Sequence, residues 1–195
     1  GAFTGIYALI GFLNIVFTYG METAFFRFST GKNQDPKRVY HTTQTLLVLS
    51  SLALGSAVYL AAPLLAEWMD YPGQAYLFQW TALLLAFDAV LAIPFAKLRL
   101  DNKAKIFAGA KLINILLNVF FNLLLLIWIP AWIQGGTLSE GFLGYQSGWG
   151  VEYILLSNLI ANGLIIPLVW WSAGFFSFRL EKEILKPMWT YSLPL

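Results

Sequence analysis

The chain has 195 residues, of which 58% are hydrophobic, 17% aromatic and 11% charged, with a formal net charge of +2 and no cysteine. A soluble domain carries about 25% Asp, Glu, Lys and Arg, so this chain lacks the charge to wet a globular surface. Its mean hydropathy of +0.67 is concentrated in long uncharged blocks. A water-soluble enzyme, a disordered chain and a disulfide-stapled module are excluded. Thiol catalysis goes with the absent cysteines, and the lone His41 cannot supply a multi-histidine metal site. No cofactor and no nucleic-acid partner is expected. The predicted fold class is all-α: a polytopic transmembrane helix bundle set in a lipid bilayer.

A bilayer core about 30 Å thick takes about 20 apolar residues of helix. Five segments meet that length: Ile6–Phe26, Thr45–Trp68, Tyr76–Phe95, Phe107–Ile133 and Tyr153–Phe178. They are continuous apolar runs, not the alternating segments of a barrel strand. The first carries Asn14, Thr18 and Glu22 at i,i+4 steps, with Arg27 at its end. The second has only Ser50, Ser51 and Ser56. The third offers Thr81 and Asp88, seven apart, then Pro94, Lys97 and Arg99. In the fourth, Lys111, Asn114, Asn118 and Asn122 fall within a sector of roughly 80° at the helical period. The fifth has Asn158 and Asn162 on one face, then Pro167. The closing KPMWTYSLPL reads as the approach to a further span, and the opening GAFTG, without an initiator Met, as the continuation of an earlier one. Residues 1–187 are therefore expected to form a partial N-terminal transmembrane lobe, and 188–195 the start of a further helix.

The connections set the orientation. Every Lys and Arg falls in three of them: Arg27, Lys32, Lys37 and Arg38 in the first, Lys97, Arg99, Lys103, Lys105 and Lys111 in the second, Arg179, Lys182 and Lys186 in the third. The other two hold Glu67, Asp70, Glu140 and Glu152 and no cation. Basic residues accumulate on the cytoplasmic side. The basic connections are thus expected in the cytoplasm and the start of the chain outside, in a multi-pass protein of the inner (plasma) membrane. Trp68, Tyr71, Trp128, Trp132, Tyr145, Trp149 and Tyr153 would form an interfacial belt at the other end. QGGTLSEGFLGYQSGWG reads as an ordered outer loop, KNQDPKR as a wet turn, and His41 as a solvated loop residue.

Polar side chains in hydrocarbon are costly unless they face protein or water, so the stripes on four of the five spans should converge on a common interior. For the asparagines two readings stay open: interhelical hydrogen bonds worth about 0.6–2 kcal/mol each, or the lining of a hydrated lumen. Glu22 and Asp88 need a partner or water, which sets a functional role against a structural ion pair. Arg27, Lys97 and Arg99 stand at the interface, either as snorkelling anchors or as substrate contacts.

YGMETAFFRFS resembles the end of the second transmembrane helix of bacterial polysaccharide flippases of O-antigen type, in the multidrug/oligosaccharidyl-lipid/polysaccharide exporter superfamily. IPFAKLRLDNKAKIFAGAKLINILLNVFFNLLLL is similar to their fourth helix, basic connection and fifth helix. VEYILLSNLIANGL resembles the start of their sixth, and LKPMWTYSLPL the approach to their seventh. The resemblance implies two six-helix lobes around a central cavity, with this chain covering most of the first. It implies that Glu22, Arg27, Lys97, Arg99, Lys111, Asn114, Asn118 and Asn122 line that cavity and hold the diphosphate and sugars of a polyprenyl-linked oligosaccharide. Other polysaccharide assembly proteins join that lipid-linked substrate as expected partners.

The expected function is therefore an integral membrane transporter that flips a polyprenyl-diphosphate-linked oligosaccharide across the inner membrane by alternating access, serving polysaccharide or lipopolysaccharide O-antigen synthesis. A cation-coupled multidrug exporter of the same superfamily is the alternative, with Glu22 and Asp88 as its cation and proton sites. A membrane-embedded glycan polymerase or glycosyltransferase needs a carboxylate or metal cluster at an aqueous face, and the sequence has no DxD and no HExxH. A purely structural scaffold sits poorly with ionisable residues inside the spans. The expectation is a transporter, not an enzyme.

Overall fold

The computed structural model describes residues 2–31, 34–139 and 141–192. Lys32, Glu140 and residues 193–195, which figure in the expectations above, lie outside them. Five helices are long and apolar enough to cross a membrane: Ala8–Thr30, Pro36–Trp68, Ala75–Leu100, Ala104–Gln134 and Val151–Ala173. No strand occurs among the described residues. The all-α membrane bundle is the observed fold, though the ends and interruptions of its helices differ from the sequence expectation.

The first span is two helices, α1 (Ala2–Thr18) and α2 (Met21–Thr30). They are separated at Tyr19, with φ 31, and Gly20, with φ 69. Gly20 takes the left-handed conformation without a Cβ penalty, whereas Tyr19 holds it against steric cost. Its hydroxyl shares a 2.9 Å hydrogen bond with Ser50 Oγ, and its ring packs on Trp189 at 5.5 Å.

The second span, α3 (Pro36–Trp68), begins well before Thr45. Asp35 caps it, accepting a 2.9 Å bond from the Lys37 N–H, and Pro36 fills the first helical position with its φ already set. The DPKR segment is a helix start, not a wet turn. His41 is correspondingly helical, and its Nδ1 accepts a 3.1 Å bond from the Ser177 N–H.

The third span, α4 (Ala75–Leu100), contains Pro94. Proline donates no backbone hydrogen bond, so the carbonyl four residues earlier, on Val90, loses its helical partner. The fully buried Gln44 of α3 supplies one, its Nε2 donating to Val90 O at 2.9 Å. A Gln44→Leu change keeps the volume but orphans that carbonyl. It is expected to lower stability by about 1–3 kcal/mol, seen as a lower Tm of the purified full-length protein. An unchanged Tm would mean that the carbonyl has another partner. Where α3 and α4 pack, Gly55 lets the helices approach: a Cβ there would sit 3.5 Å from Ala86 Cβ and 3.7 Å from Ala82 O. Small residues serve this purpose in lipid, where close packing rather than water exclusion holds helices together.

The fourth span runs through α5 (Ala104–Leu123), a π-helical turn at Leu124–Trp128, and α6 (Ile129–Gln134). The wider turn precedes Pro130, whose ring would otherwise press on the carbonyl of the previous turn. The fifth span, α7 (Val151–Ala173), stops short of Phe178 because Gly174 turns the chain at φ 93. The chain then follows the first turns of α3. Tyr40 Oη donates to Gly174 O at 2.9 Å, the Arg179 N–H donates to Thr45 Oγ1 at 3.1 Å, and Arg38 forms an ion pair with Glu181. It ends in α8 (Lys182–Ser192), which buries Ile184 and Met188 against the core formed by α1, α2, α3 and α4.

The Arg38 hydrogen bond holds the Glu181 carboxyl below its ordinary value. A depressed folded value means the pairing is complete above the ordinary glutamate range and is lost as pH falls through the depressed one. Amide exchange at Arg179 is expected to quicken in that acidic window, and Glu181→Gln to remove that step. Persistence of the step in the variant would assign it elsewhere.

Candidate functional site

The polar stripes meet in a cavity of about 680 Å³ in the half of the bundle that carries the basic connections. From the first span come Asn14 and Thr18 of α1, then Glu22 and Thr23 of α2, with Gly20 between them. The helix break does not disperse this stripe; it lets both halves face the same space. On α4 the lining residues include Asp88, Phe95 and Arg99, whose steps of seven and four keep them on one helical face. On α5, Phe107, Lys111 and Asn114, at steps of four and three, likewise share a face, and α7 contributes Asn162.

Three of these groups form one hydrogen-bonded chain across three helices. Asn162, which is buried, donates its Nδ2 to Asp88 Oδ1 at 2.7 Å and accepts at Oδ1 from Asn114 Nδ2 at 2.8 Å. One turn further from the cavity, Asn118 donates to Asn158 Oδ1. Asn122 reaches back to Asn118, at 2.9 Å to its carbonyl and 2.7 Å to its side-chain oxygen. The pairs Asn114–Asn162 and Asn118–Asn158 show that α5 and α7 run antiparallel with matched four-residue spacing. The result is an amide ladder.

The charges are arranged unequally. Arg99 is ion-paired to Glu22, joining α4 to α2, and its guanidinium lies 5.2 Å from the Phe26 ring and 5.3 Å from that of Phe107. Lys111 makes no ion pair among the described residues; its ammonium lies 4.3 Å from the Phe95 ring centre. The cavity therefore holds one cation ion-paired to Glu22 and a second, Lys111, whose charge is felt by Asp88 without an ion pair.

Of the residues singled out in the sequence, Asn14, Glu22, Asp88, Arg99, Lys111, Asn114 and Asn162 line this space. Asn118, Asn122 and Asn158 do not; Asn118 and Asn158 bond across α5 and α7, as the interhelical hydrogen-bond reading describes, and Asn122 bonds back to Asn118 within α5. Lys97 is also elsewhere. Two residues from Arg99 it is turned by roughly 200°, where it pairs with Asp101 at 2.5 Å and lies 5.3 Å from the Tyr40 ring. Arg27, five residues beyond Glu22 and turned by roughly 140°, places its guanidinium 4.2 Å from the ring of Tyr191 on α8. The interface position and the family resemblance group these cations with Arg99, and helical phase separates them. Thr23, Phe95 and Phe107 were not anticipated, although Phe95 and Phe107 each stand four residues before a cation of the cavity, Arg99 and Lys111.

The family model described as Polysaccharide biosynthesis protein matches residues 1–133, from the start of the chain into α6. No curated protein and no solved structure matches the chain. With five membrane-length helices and that match over most of its length, the chain is a multi-pass membrane protein of the polysaccharide biosynthesis protein family.

Proposed function

We propose that this protein is a transporter, not an enzyme, that moves a polyprenyl-diphosphate-linked oligosaccharide across the inner membrane, with the basic connections in the cytoplasm. The observation that carries the reading is the cavity itself: Lys111 and Arg99 stand beside Asn14, Asn114 and Asn162 in one space. Cations suit a diphosphate, and carboxamides suit sugar hydroxyls. Lys111, which makes no ion pair although Asp88 feels its charge, is the first contact for the anionic head. Arg99 follows by exchanging Glu22 for phosphate oxygens, which loosens the tie between α2 and α4. Movement of this bundle against a second one would carry the head across.

The direct test reconstitutes the full-length protein in liposomes with a fluorescent polyprenyl-diphosphate oligosaccharide. Movement is read by access of a glycosidase added on one side. Protein-dependent loss of protection supports the reading, and equal protection with and without protein overturns it. A cation-coupled exporter is the second reading, carried by Asp88 at the cavity wall. It predicts pH-dependent efflux of cationic dyes that Asp88→Asn abolishes, with no glycan defect.

A further inference from the structure

A second cavity, of about 690 Å³, opens at the opposite end of the bundle between α6 and the loop that precedes α7. One wall is Pro130, Ile133 and Gln134; the other is the stretch from Tyr145 to Gly148. That loop is not a loose flap. Tyr153 Oη accepts from the Gln146 N–H at 2.8 Å and donates to the Gln146 carbonyl at 3.3 Å. Glu152 takes the Gly150 N–H at 3.0 Å and the Tyr76 hydroxyl at 3.2 Å. The ring of Tyr145 stacks on Tyr153 at 4.9 Å and 6°, and Trp149 stacks on Tyr76 at 5.6 Å and 15°. Two aromatic stacks and four hydrogen bonds thus hold the wall in place.

The chemistry of this cleft differs from that of the first cavity. No charged residue lines it among the described residues; its polar side chains are the carboxamides of Gln134 and Gln146 and the hydroxyls of Ser147 and Tyr145. Both glutamines and Ser147 are exposed. Such a set offers nothing to a phosphate and much to a ring bearing several hydroxyls. Carboxamides both donate and accept, and aromatic surface packs against sugar C–H faces.

We propose that this cleft is a binding subsite for uncharged saccharide units, separate from the cationic cavity. This rests on the transporter reading for its purpose: the subsite would hold the distal sugars of the glycan at the far side of the membrane while the diphosphate is still in transit. It does not rest on that reading for its chemistry, so the two can fail separately.

The test is saturation-transfer NMR on the full-length protein in nanodiscs, with N,N′-diacetylchitobiose as the neutral probe, glucuronic acid as the anionic probe and inorganic diphosphate as competitor. Chitobiose is expected to receive saturation, glucuronic acid much less, and diphosphate not to compete. Because each lost hydrogen bond is worth a modest factor, Gln134→Leu combined with Gln146→Leu is expected to weaken chitobiose binding about tenfold. Tyr145→Phe, which keeps the ring, should retain most of it, and Lys111→Gln should leave it unchanged. These side chains are exposed, and an unchanged Tm of the double variant verifies the fold. Equal chitobiose transfer in wild type and double variant, no transfer in wild type, or displacement by diphosphate would each overturn the subsite. Loss of lipid-linked glycan movement with chitobiose binding intact would count only against the transport reading.

Discussion

Replacing Lys111 with Gln is expected to cut surface glycan about tenfold or more in cells that depend on the full-length protein, since a charge-assisted contact is worth about 1.5–3 kcal/mol. Lys97→Gln should leave export near wild type. Both residues are lysines near the basic end, and both removals subtract one positive charge, so general electrostatics and topology are affected alike. What differs is direction: Lys111 lines the cavity without an ion pair, whereas Lys97 is paired to Asp101 outside it. Arg99→Gln should be at least as damaging, because it also leaves Glu22 as an unopposed carboxylate at the cavity wall. Adding Glu22→Gln to that variant should recover part of the loss. Membrane levels of each variant are measured by immunoblot. Comparable export by Lys111→Gln and wild type at equal levels, or equal loss in Lys97→Gln, would remove the cavity cations from the mechanism.

Asn162→Leu is expected to be the most destabilising single change among the asparagines, by about 2 kcal/mol. It removes at once the donor to Asp88 and the acceptor for Asn114, leaving a carboxylate and an amide without their partner. Asn158→Leu breaks one interhelical bond only, since Asn118 retains its contact with Asn122. It should cost about half as much. Thermal unfolding of the purified full-length variants gives the comparison. Equal losses would mean that Asp88 and Asn114 find other partners when Asn162 is gone.

Much of this architecture was legible in the residues, for physical reasons. Apolar runs of membrane length report spans directly, because every backbone polar group in lipid must be satisfied within the helix. The same constraint made the polar residues informative: Asn14, Glu22, Asp88, Lys111, Asn114 and Asn162 do meet in one space. What was not legible depended on phase and on partners distant in sequence. Lys97, Arg27 and Arg99 share the basic ends of their spans and the family resemblance, but helix rotation sends Lys97 and Arg27 to other faces. Gln44 lay outside the expected second span, and its purpose follows only from Pro94 on another helix. The start of that span had a readable signal in Asp35 and Pro36. The break at Tyr19 and Gly20 had a weaker one, since glycine is common in membrane helices without interrupting them. The second cleft could not be foreseen from the loop composition, because it depends on Tyr153 fixing the backbone of Gln146.

The regular spacing of the amides on α5 and α7 has a mechanical corollary. Displacing one helix along the other by a single turn, about 5.4 Å, would bring Asn118 opposite Asn162 and Asn122 opposite Asn158. The count of cross-helix amide pairs would stay the same. Such a pair of helices behaves as a toothed rack with more than one resting notch. Its hydrogen bonds resist half-steps but do not choose between whole ones. The bond from Asn162 to Asp88 ties α7 to α4 and would survive in either register, so a slide of α5 along α7 would leave it in place.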